Sequence, residues 1–172
     1  MKACSVASIA HLIPHAGSML LLDQILDWDD GQLRARTASH LSADNPLRDA
    51  AGLHAACGIE YAAQAMALHG ALRAAAPSAR GMLASVRDVR IFAPRLDRCG
   101  ETLEVETRLL SGDTRLAMYV FAIYGFANDG SPSDSFASER VDSQAAAQTI
   151  LTGRATVLLD LPTVRPALSG RG

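Results

Sequence analysis

The amino-acid sequence predicts an α+β fold in which a curled antiparallel sheet wraps around one long buried helix. One alanine-rich segment, residues 54–76, has helix-forming composition and almost no polar face. The remaining candidate elements are strand-like, two before this segment and four after it. An antiparallel sheet can bury one such helix by curling around it. We therefore expect a single domain over residues 1–172, with a core at about 8–160.

The two strands before the helix form a predicted hairpin. Residues 19–28 are an apolar run, and the turn-forming pair Asp30-Gly31 follows it. In residues 32–37 apolar and polar side chains alternate, which indicates a strand with one buried face. Residues 41–53 contain Asp, Asn, Pro and Gly and are predicted to be a loop.

The predicted helix ends before Pro77, because proline cannot continue a helix. Four strands are expected after it, at 81–92, 101–110, 114–126 and 152–159. The polar residues 128–149 form a predicted loop or insertion, and residues 161–172 form a predicted frayed tail. The edges of such a sheet invite pairing with another subunit, so we expect a dimer joined edge to edge.

Composition excludes several classes of function. The formal net charge is −2 and no basic run occurs, which argues against nucleic-acid binding. The three cysteines and five histidines lack disulfide or metal-ligand spacing, so neither a metal nor another cofactor is expected. No apolar run approaches the about 20 residues of a membrane span, and the N-terminus does not resemble a signal peptide. A cytoplasmic location is the expectation.

One local charge cluster stands out, at Arg87, Arg90, Arg95 and Arg98. These side chains can be solvated strand and loop positions. They can also form a small cationic rim for an acidic carrier protein or for the phosphate of phosphopantetheine. The sequence leaves both readings open.

Glu60 is the most informative candidate residue, since it lies in the first turns of a helix that should be buried. A buried carboxylate is costly unless it is paired or functional, and desolvation would raise its pKa toward general acid–base work. Gln64 lies four residues later on the same face. The alternative is a carboxylate held at the helix start by backbone N–H groups and the helix dipole.

The start of the helix offers further candidates. Backbone N–H groups near Cys57 and Gly58 could polarise a thioester carbonyl, and Gly58 would let a substrate approach closely. Both residues can equally be packing positions, and for Cys57 a buried apolar role is favoured over a nucleophile. His54 and His15 are candidates for a second catalytic group beside Glu60.

Three segments carry a family resemblance. Residues 12–31, LIPHAGSMLLLDQILDWDDG, resemble the opening of FabZ-type 3-hydroxyacyl-ACP dehydratases. Residues 58–66, GIEYAAQAM, resemble the start of their central helix, and 152–159 resembles their final strand. The chain is most similar to the ApeP-like branch of aryl polyene pathways. This resemblance implies a hot-dog fold, a dimer with its active site at the interface, and cofactor-free dehydration of 3-hydroxyacyl thioesters to trans-2-enoyl thioesters.

The resemblance assigns Glu60 to the family carboxylate that handles the leaving hydroxyl, and Gln64 to the glutamine that follows it. The FabZ pattern has its catalytic histidine in a loop at the position of Pro46, where this chain has none. His15, His40 or His54 would have to substitute, and ApeP-like proteins share this departure.

Three functions follow from these observations. The first is a dehydratase of acyl thioesters on acyl carrier protein or CoA, using Glu60 with His15 or His54, and with Cys57, Gly58 and Gln64 binding the substrate. The second is an acyl thioesterase, in which the carboxylate activates water or attacks the carbonyl. The third is a non-catalytic hot-dog subunit that pairs with an active dehydratase. The working unit is expected to be a homodimer or a heterodimer with another hot-dog subunit.

Overall fold

The predicted α+β architecture is confirmed by a computed structural model, which describes residues 4–75, 81–113, 115–126 and 147–159. One long helix packs against a seven-stranded antiparallel sheet with strand order β1-β2-β3-β5-β6-β7-β4. The elements are β1 Cys4–Ser5, β2 Gln24–Trp28, β3 Gln32–Thr37, α1 Gly58–Ala74, β4 Met82–Ile91, β5 Thr102–Gly112, β6 Leu116–Phe126 and β7 Gln148–Leu158.

The predicted hairpin is confirmed as β2 and β3. Asp29 closes its turn, because its Oδ1 accepts hydrogen bonds from the backbone N–H groups of Gly31 (2.7 Å) and Gln32 (3.0 Å). The strand is shorter than the apolar run 19–28, since β2 begins only at Gln24. The sequence pattern did not predict β1, which has only two residues and therefore no periodicity to detect.

Helix α1 begins later than predicted, because residues Ala55–Cys57 form a short 3₁₀ turn before it. It ends at Ala74, before Ala75 in the left-handed region (φ 50°). The helix packs on the faces of β3, β5 and β6. Its small residues let a core form around fully buried side chains such as Tyr61, Leu68, Leu103 and Ile123.

The last three predicted strands are confirmed as β5, β6 and β7. The final strand starts earlier than expected, so Gln148 and Thr149 belong to β7 and not to the predicted insertion. The rest of that insertion, apart from Ala147, and the predicted tail 161–172 lie outside the described residues. No helix in the described ranges is both long and apolar enough to cross a membrane.

Strand β4, which confirms the prediction at 81–92, forms one edge of the sheet and pairs with β7. Almost all of its residues are exposed to solvent. Large apolar side chains stand open on or next to it, at Met82, Leu83, Val89, Ile91 and Phe92, with exposed fractions from 36% to 57%. An edge strand with such side chains is a typical place for another subunit to pair.

Asp97 fixes the predicted loop 41–53 against the segment that connects β4 to β5. Its Oδ2 accepts from Arg48 Nη1 (2.7 Å) and from the backbone N–H of Leu53 (3.2 Å). Its Oδ1 accepts from Arg95 Nε (2.9 Å). The Arg95 guanidinium holds the pKa of the Asp97 carboxyl well below its usual range. Arg95 is therefore committed to an ion pair, which removes it from the predicted cationic rim.

Candidate active site

The structure brings Glu60 and His15 together at the start of α1. His15 Nε2 lies 3.1 Å from Glu60 Oε1, within ion-pair distance. The exposed fractions of the two side chains are 24% for His15 and 32% for Glu60. Glu60 is therefore partly open to solvent. The sequence had predicted instead a carboxylate enclosed on a buried helix. A half-buried acid–base pair that solvent can reach is a candidate for chemistry.

Gln64 holds the segment that carries His15 against the helix. The backbone N–H of Leu21 donates to Gln64 Oε1 (3.0 Å), and Gln64 Nε2 donates to the carbonyl of Met19 (2.8 Å). The same Nε2 donates to Glu60 Oε1 (3.1 Å). Because the Leu21 N–H identifies the acceptor end of the amide, the other end must be the donor that meets Glu60.

These contacts bear on the predicted substrate-binding role of Gln64, which stays a prediction. Its side chain is fully buried, and both ends of its amide already have partners within the chain. A substrate could accept a hydrogen bond from Gln64 Nε2 only by displacing Met19 or Glu60. The geometry supports a positioning role, in which Gln64 joins the His15 segment to the carboxylate.

A second polar cluster fixes the same segment from the other side. The carbonyl of Leu21 accepts from Thr37 Oγ1 and Ser39 Oγ, both at 2.6 Å. Ser39 Oγ lies 3.1 Å from the hydroxyl of Tyr61, which also accepts from Asn45 Nδ2 (2.8 Å). Burial raises the pKa of Tyr61, so its hydroxyl stays protonated. Sequence reasoning missed this network, and its one available signal was Asn45 in the loop beside Pro46.

The two oxygens of Glu60 differ in their surroundings. Oε1 is approached by both His15 Nε2 and Gln64 Nε2. In the part of the chain that the structure describes, no hydrogen-bond donor reaches Oε2. His15 Nδ1 is buried and likewise has no partner among the described residues. The contact between the two side chains therefore joins Nε2 to Oε1, and Oε2 meets no donor among the described residues.

The backbone donors near Cys57 and Gly58 do not point into an open site. The N–H of Cys57 donates to the carbonyl of His54 (3.0 Å), and the N–H of Gly58 donates to the carbonyls of Ala55 and Ala56. The N–H of Ala56 donates to His54 Nδ1 (3.1 Å). The 3₁₀ turn thus satisfies these groups internally. The predicted hydrogen bond to a thioester carbonyl would require this turn to open.

The surroundings of Gly58 bear on the prediction that it makes room for a substrate, which stays a prediction. A Cβ atom at this position would lie 2.7 Å from Ile123 Cδ1 and 2.9 Å from Leu151 Cδ2. The space above Gly58 is therefore filled by the sheet of the protein itself. Cys57 Sγ donates to the carbonyl of Leu47 (3.7 Å), and burial raises the pKa of its thiol, which disfavours a nucleophile.

The other candidate histidines have different surroundings from His15. His54 is exposed, its ring caps the 3₁₀ turn, and it makes no ion pair with Glu60, although the structure describes both residues. His40 is fully buried, with Nε2 3.1 Å from the carbonyl of Gly100. In the described ranges no group of His, Cys, Asp and Glu side chains could hold a metal ion.

A curled antiparallel sheet that packs over one long helix defines a hot-dog-fold protein. Solved structures of similar shape agree. The dehydratase heterocomplex ApeI:P from Xenorhabdus doucetiae has a TM-score of 0.70 at 23% identity, over 90% of this chain and 92% of that chain. A thioesterase family protein from Silicibacter pomeroyi has a TM-score of 0.53 at 14% identity, over 80% and 83%. Zebrafish thioesterase superfamily member 2 has a TM-score of 0.52 at 16% identity, over 85% and 87%.

The family follows from a sequence model. The model of the ApeP-like family, described as ApeP dehydratase, matches residues 7–142. The chain belongs to this family and is a dehydratase-like hot-dog protein, as the resemblance at residues 12–31 and 58–66 predicted. A search of curated proteins found no match.

Proposed function

We propose that this chain is a subunit of a 3-hydroxyacyl thioester dehydratase that takes its substrate from acyl carrier protein in aryl polyene or fatty acid biosynthesis. The observation that carries the proposal is the 3.1 Å contact between His15 Nε2 and Glu60 Oε1 at a partly exposed helix start. Dehydration needs a base for a proton on carbon and an acid for the leaving hydroxyl. A histidine and a carboxylate in contact provide both.

The reaction balances on this pair without a cofactor. The C–H bond at the carbon next to the thioester carbonyl breaks, and its proton passes to the pair. The C–O bond at the third carbon breaks as a double bond forms, and the pair returns one proton to the departing hydroxyl, which leaves as water. Because Oε1 faces His15 and Gln64, and no donor among the described residues reaches Oε2, Oε2 of Glu60 is the oxygen that would touch the substrate.

The occupied backbone donors near Cys57 and Gly58 bear on how the thioester carbonyl is held. Since these N–H groups have partners within the 3₁₀ turn, a donor for the carbonyl has to come from movement of this turn or from another subunit. The apolar, exposed edge strand β4 is the surface that supports a second subunit. We therefore include in the proposal a dimer formed through β4, with another hot-dog subunit or with a second copy.

Pairing with a different subunit has support of its own. The similar structure from Xenorhabdus doucetiae is described as a heterocomplex of ApeI and ApeP. Strand β4 carries Arg87 and Arg90 against the single acidic residue Asp88, so an edge of opposite charge would complement it.

A second candidate function is thioester hydrolysis. About a third of the Glu60 side chain is exposed (32%), so the carboxylate could activate a water molecule for attack on the thioester carbonyl. The two reactions give different products. Dehydration gives an enoyl thioester that absorbs in the ultraviolet, whereas hydrolysis releases a free thiol.

The experiment supplies a 3-hydroxyacyl thioester of acyl carrier protein to the purified chain, alone and mixed with a hot-dog dehydratase subunit. We expect enoyl thioester to form without release of thiol, in one or both preparations, and to be lost in the Glu60→Gln variant of this chain. Release of thiol without enoyl product would establish the thioesterase instead. Product in the mixture alone, with equal turnover by the wild-type and Glu60→Gln mixtures, would show that this chain is a non-catalytic partner.

A further inference from the structure

The direction of the hydrogen bonds around the Leu21 carbonyl follows from a count of protons. Each hydroxyl carries one proton, and a carbonyl oxygen can only accept. Thr37 Oγ1 and Ser39 Oγ both lie 2.6 Å from this carbonyl oxygen, so each donates its one proton there. The contact of 3.0 Å between the two hydroxyls therefore carries no proton. Toward any further partner, Ser39 Oγ can only accept.

Tyr61 is that further partner, and its hydroxyl donates to Ser39 Oγ at 3.1 Å. The backbone N–H of Leu47 donates to Asn45 Oδ1 (3.0 Å), which identifies Asn45 Nδ2 as the donor end of the amide. Nδ2 donates to the carbonyl of Ser39 (3.0 Å) and to the Tyr61 oxygen (2.8 Å). Burial raises the pKa of Tyr61, so its hydroxyl keeps the proton that it donates. This donor series thus runs from Asn45 through Tyr61 and Ser39 to Leu21.

Leu21 extends the donor series toward the candidate active site. Its N–H donates to Gln64 Oε1 (3.0 Å), and Gln64 Nε2 donates to Glu60 Oε1 (3.1 Å). The carbonyl and the N–H of Leu21 belong to neighbouring peptide units, so the two halves of the series are linked by the position of this backbone. Leu21, Tyr61 and Gln64 are all fully buried, so solvent does not compete for these bonds.

The far end of the donor series is fixed as well. Asn45 is buried and belongs to the loop 41–53, which Asp97 holds through Arg48 (2.7 Å) and through the backbone N–H of Leu53 (3.2 Å). Every donor in the series points toward Glu60, and aligned hydrogen bonds strengthen one another within each half. The series therefore connects a fixed loop to the carboxylate of the acid–base pair.

We propose that Tyr61 and Ser39 are positioning residues for the Glu60 carboxylate. Their hydroxyls fix the backbone that orients the Gln64 amide, and the amide holds Glu60 Oε1 beside His15. The assignment rests on the proposed function, because that function gives the carboxylate its proton transfers. Among the described residues neither hydroxyl makes a hydrogen bond to the carboxylate, so both act through Gln64.

The experiment compares Tyr61→Phe with Tyr119→Phe, which removes another buried hydroxyl, 3.1 Å from His69 Nδ1. Both variants should lower the unfolding temperature, by about 2–4 °C for each hydrogen bond lost. Only Tyr61→Phe should lower kcat, by about fivefold to tenfold with little change in KM, because it loosens the carboxylate and not the substrate. Proton exchange of the Gln64 side-chain amide, followed by NMR, should be faster in Tyr61→Phe and unchanged in Tyr119→Phe.

Ser39→Ala tests the same link at a partly buried position, so the test does not depend on the folding of Tyr61→Phe. It removes the hydroxyl that accepts from Tyr61 and donates to the Leu21 carbonyl. We expect this variant to reproduce the loss of kcat and the faster exchange of the Gln64 amide.

Wild-type kcat in both Tyr61→Phe and Ser39→Ala would overturn the inference, as would an unchanged exchange rate of the Gln64 amide in both. The exchange measurement needs no turnover, so this inference and the proposed function can fail separately. If the Gln64 amide exchanges faster but the wild type never forms enoyl thioester, the link to Gln64 stands and the proposed reaction fails. If enoyl thioester forms and Tyr61→Phe and Tyr119→Phe lose kcat equally, the reaction stands and the positioning role fails.

Discussion

Two histidine clusters lie along helix α1, and they differ in how far their hydrogen bonding is satisfied. His69 is fully buried, with Nδ1 3.1 Å from the Tyr119 hydroxyl and Nε2 2.9 Å from the carbonyl of Asp29. His15 is 24% exposed, with one ring nitrogen at Glu60 and the other without a partner among the described residues. A fully satisfied cluster holds a fold together, whereas an incompletely satisfied one at the surface is available for chemistry.

Burial also affects the electrostatics of the His69 cluster. Burial lowers the pKa of His69, so its ring is neutral near pH 7 and serves as a fixed donor and acceptor between α1, β6 and the hairpin turn. Its ring also meets that of Tyr119 edge-on, with centroids 5.6 Å apart. His69, near the end of α1, thus has a structural role, whereas His15, on the segment that packs against the start of α1, has a candidate catalytic role.

The sharpest test of this contrast is His15→Gln. We expect turnover to fall by about 100-fold or more, because acid–base side chains contribute about 10²–10⁴-fold. The free energy of unfolding should change little, since His15 is half-buried and near the surface. Steady-state kinetics and thermal unfolding of the same preparation measure both. Wild-type turnover in this variant would remove His15 from the reaction.

Gln64→Leu should lower both the turnover and the free energy of unfolding, because Gln64 contacts both the buried segment at Met19 and Leu21 and the Glu60 carboxylate. The variant leaves the N–H of Leu21 and the carbonyl of Met19 without partners, at a cost on the order of 1–3 kcal/mol for each buried group. It also frees the His15 segment from Glu60, so kcat should fall more than KM rises. Urea unfolding and kinetics check the two effects. Loss of stability with unchanged kcat would contradict the positioning role.

His69→Phe should lower stability and spare the chemistry. Phenylalanine keeps an aromatic ring beside Tyr119 but leaves the Tyr119 hydroxyl and the Asp29 carbonyl unpaired, at a cost of about 1–3 kcal/mol. Turnover per folded molecule should equal that of the wild type. A turnover loss as large as that of His15→Gln would erase the distinction between the two clusters.

The smallest expected effect is on the pH dependence of stability. Burial lowers the pKa of both His69 and His40. Below about pH 6.5 these two side chains therefore bind protons in the unfolded chain more readily than in the folded chain. The contribution of these histidines to the free energy of unfolding should therefore have its full value above that pH and should decrease as the solution is acidified. His69→Phe should make this fall shallower, by at most about 1.4 kcal/mol per pH unit. An unchanged slope would show that His69 titrates normally.

Much of the fold was predictable because it depends on short-range patterns. The alternation in residues 32–37 and the composition of 54–76 indicated β3 and α1, and the curled sheet then followed from the burial of one helix. The four-residue spacing of Glu60 and Gln64 likewise predicted that they share a face, and the structure shows them in contact. The short 3₁₀ turns and the two-residue strand β1 have no such pattern and were missed.

The contacts of the candidate site could be predicted only in part. His15 and Glu60 are far apart in sequence, and only the fold brings them together, so His54 was an equal candidate until the structure showed it capping a turn. Gly58 was ambiguous, because a glycine can make room for a ligand or for the protein itself, and here Ile123 and Leu151 fill the space. The Thr37–Ser39–Tyr61–Asn45 network depends on tertiary contacts alone.

The central claim is that the Glu60 carboxylate takes part, with His15, in the proton transfers of the reaction. The most direct measurement is steady-state formation of enoyl thioester by Glu60→Gln beside Glu101→Gln, an exposed carboxylate on the same chain. We expect Glu60→Gln to lose about 10²–10⁴-fold in turnover with an unchanged unfolding temperature, and Glu101→Gln to retain wild-type turnover. Equal turnover by the two variants would contradict the account.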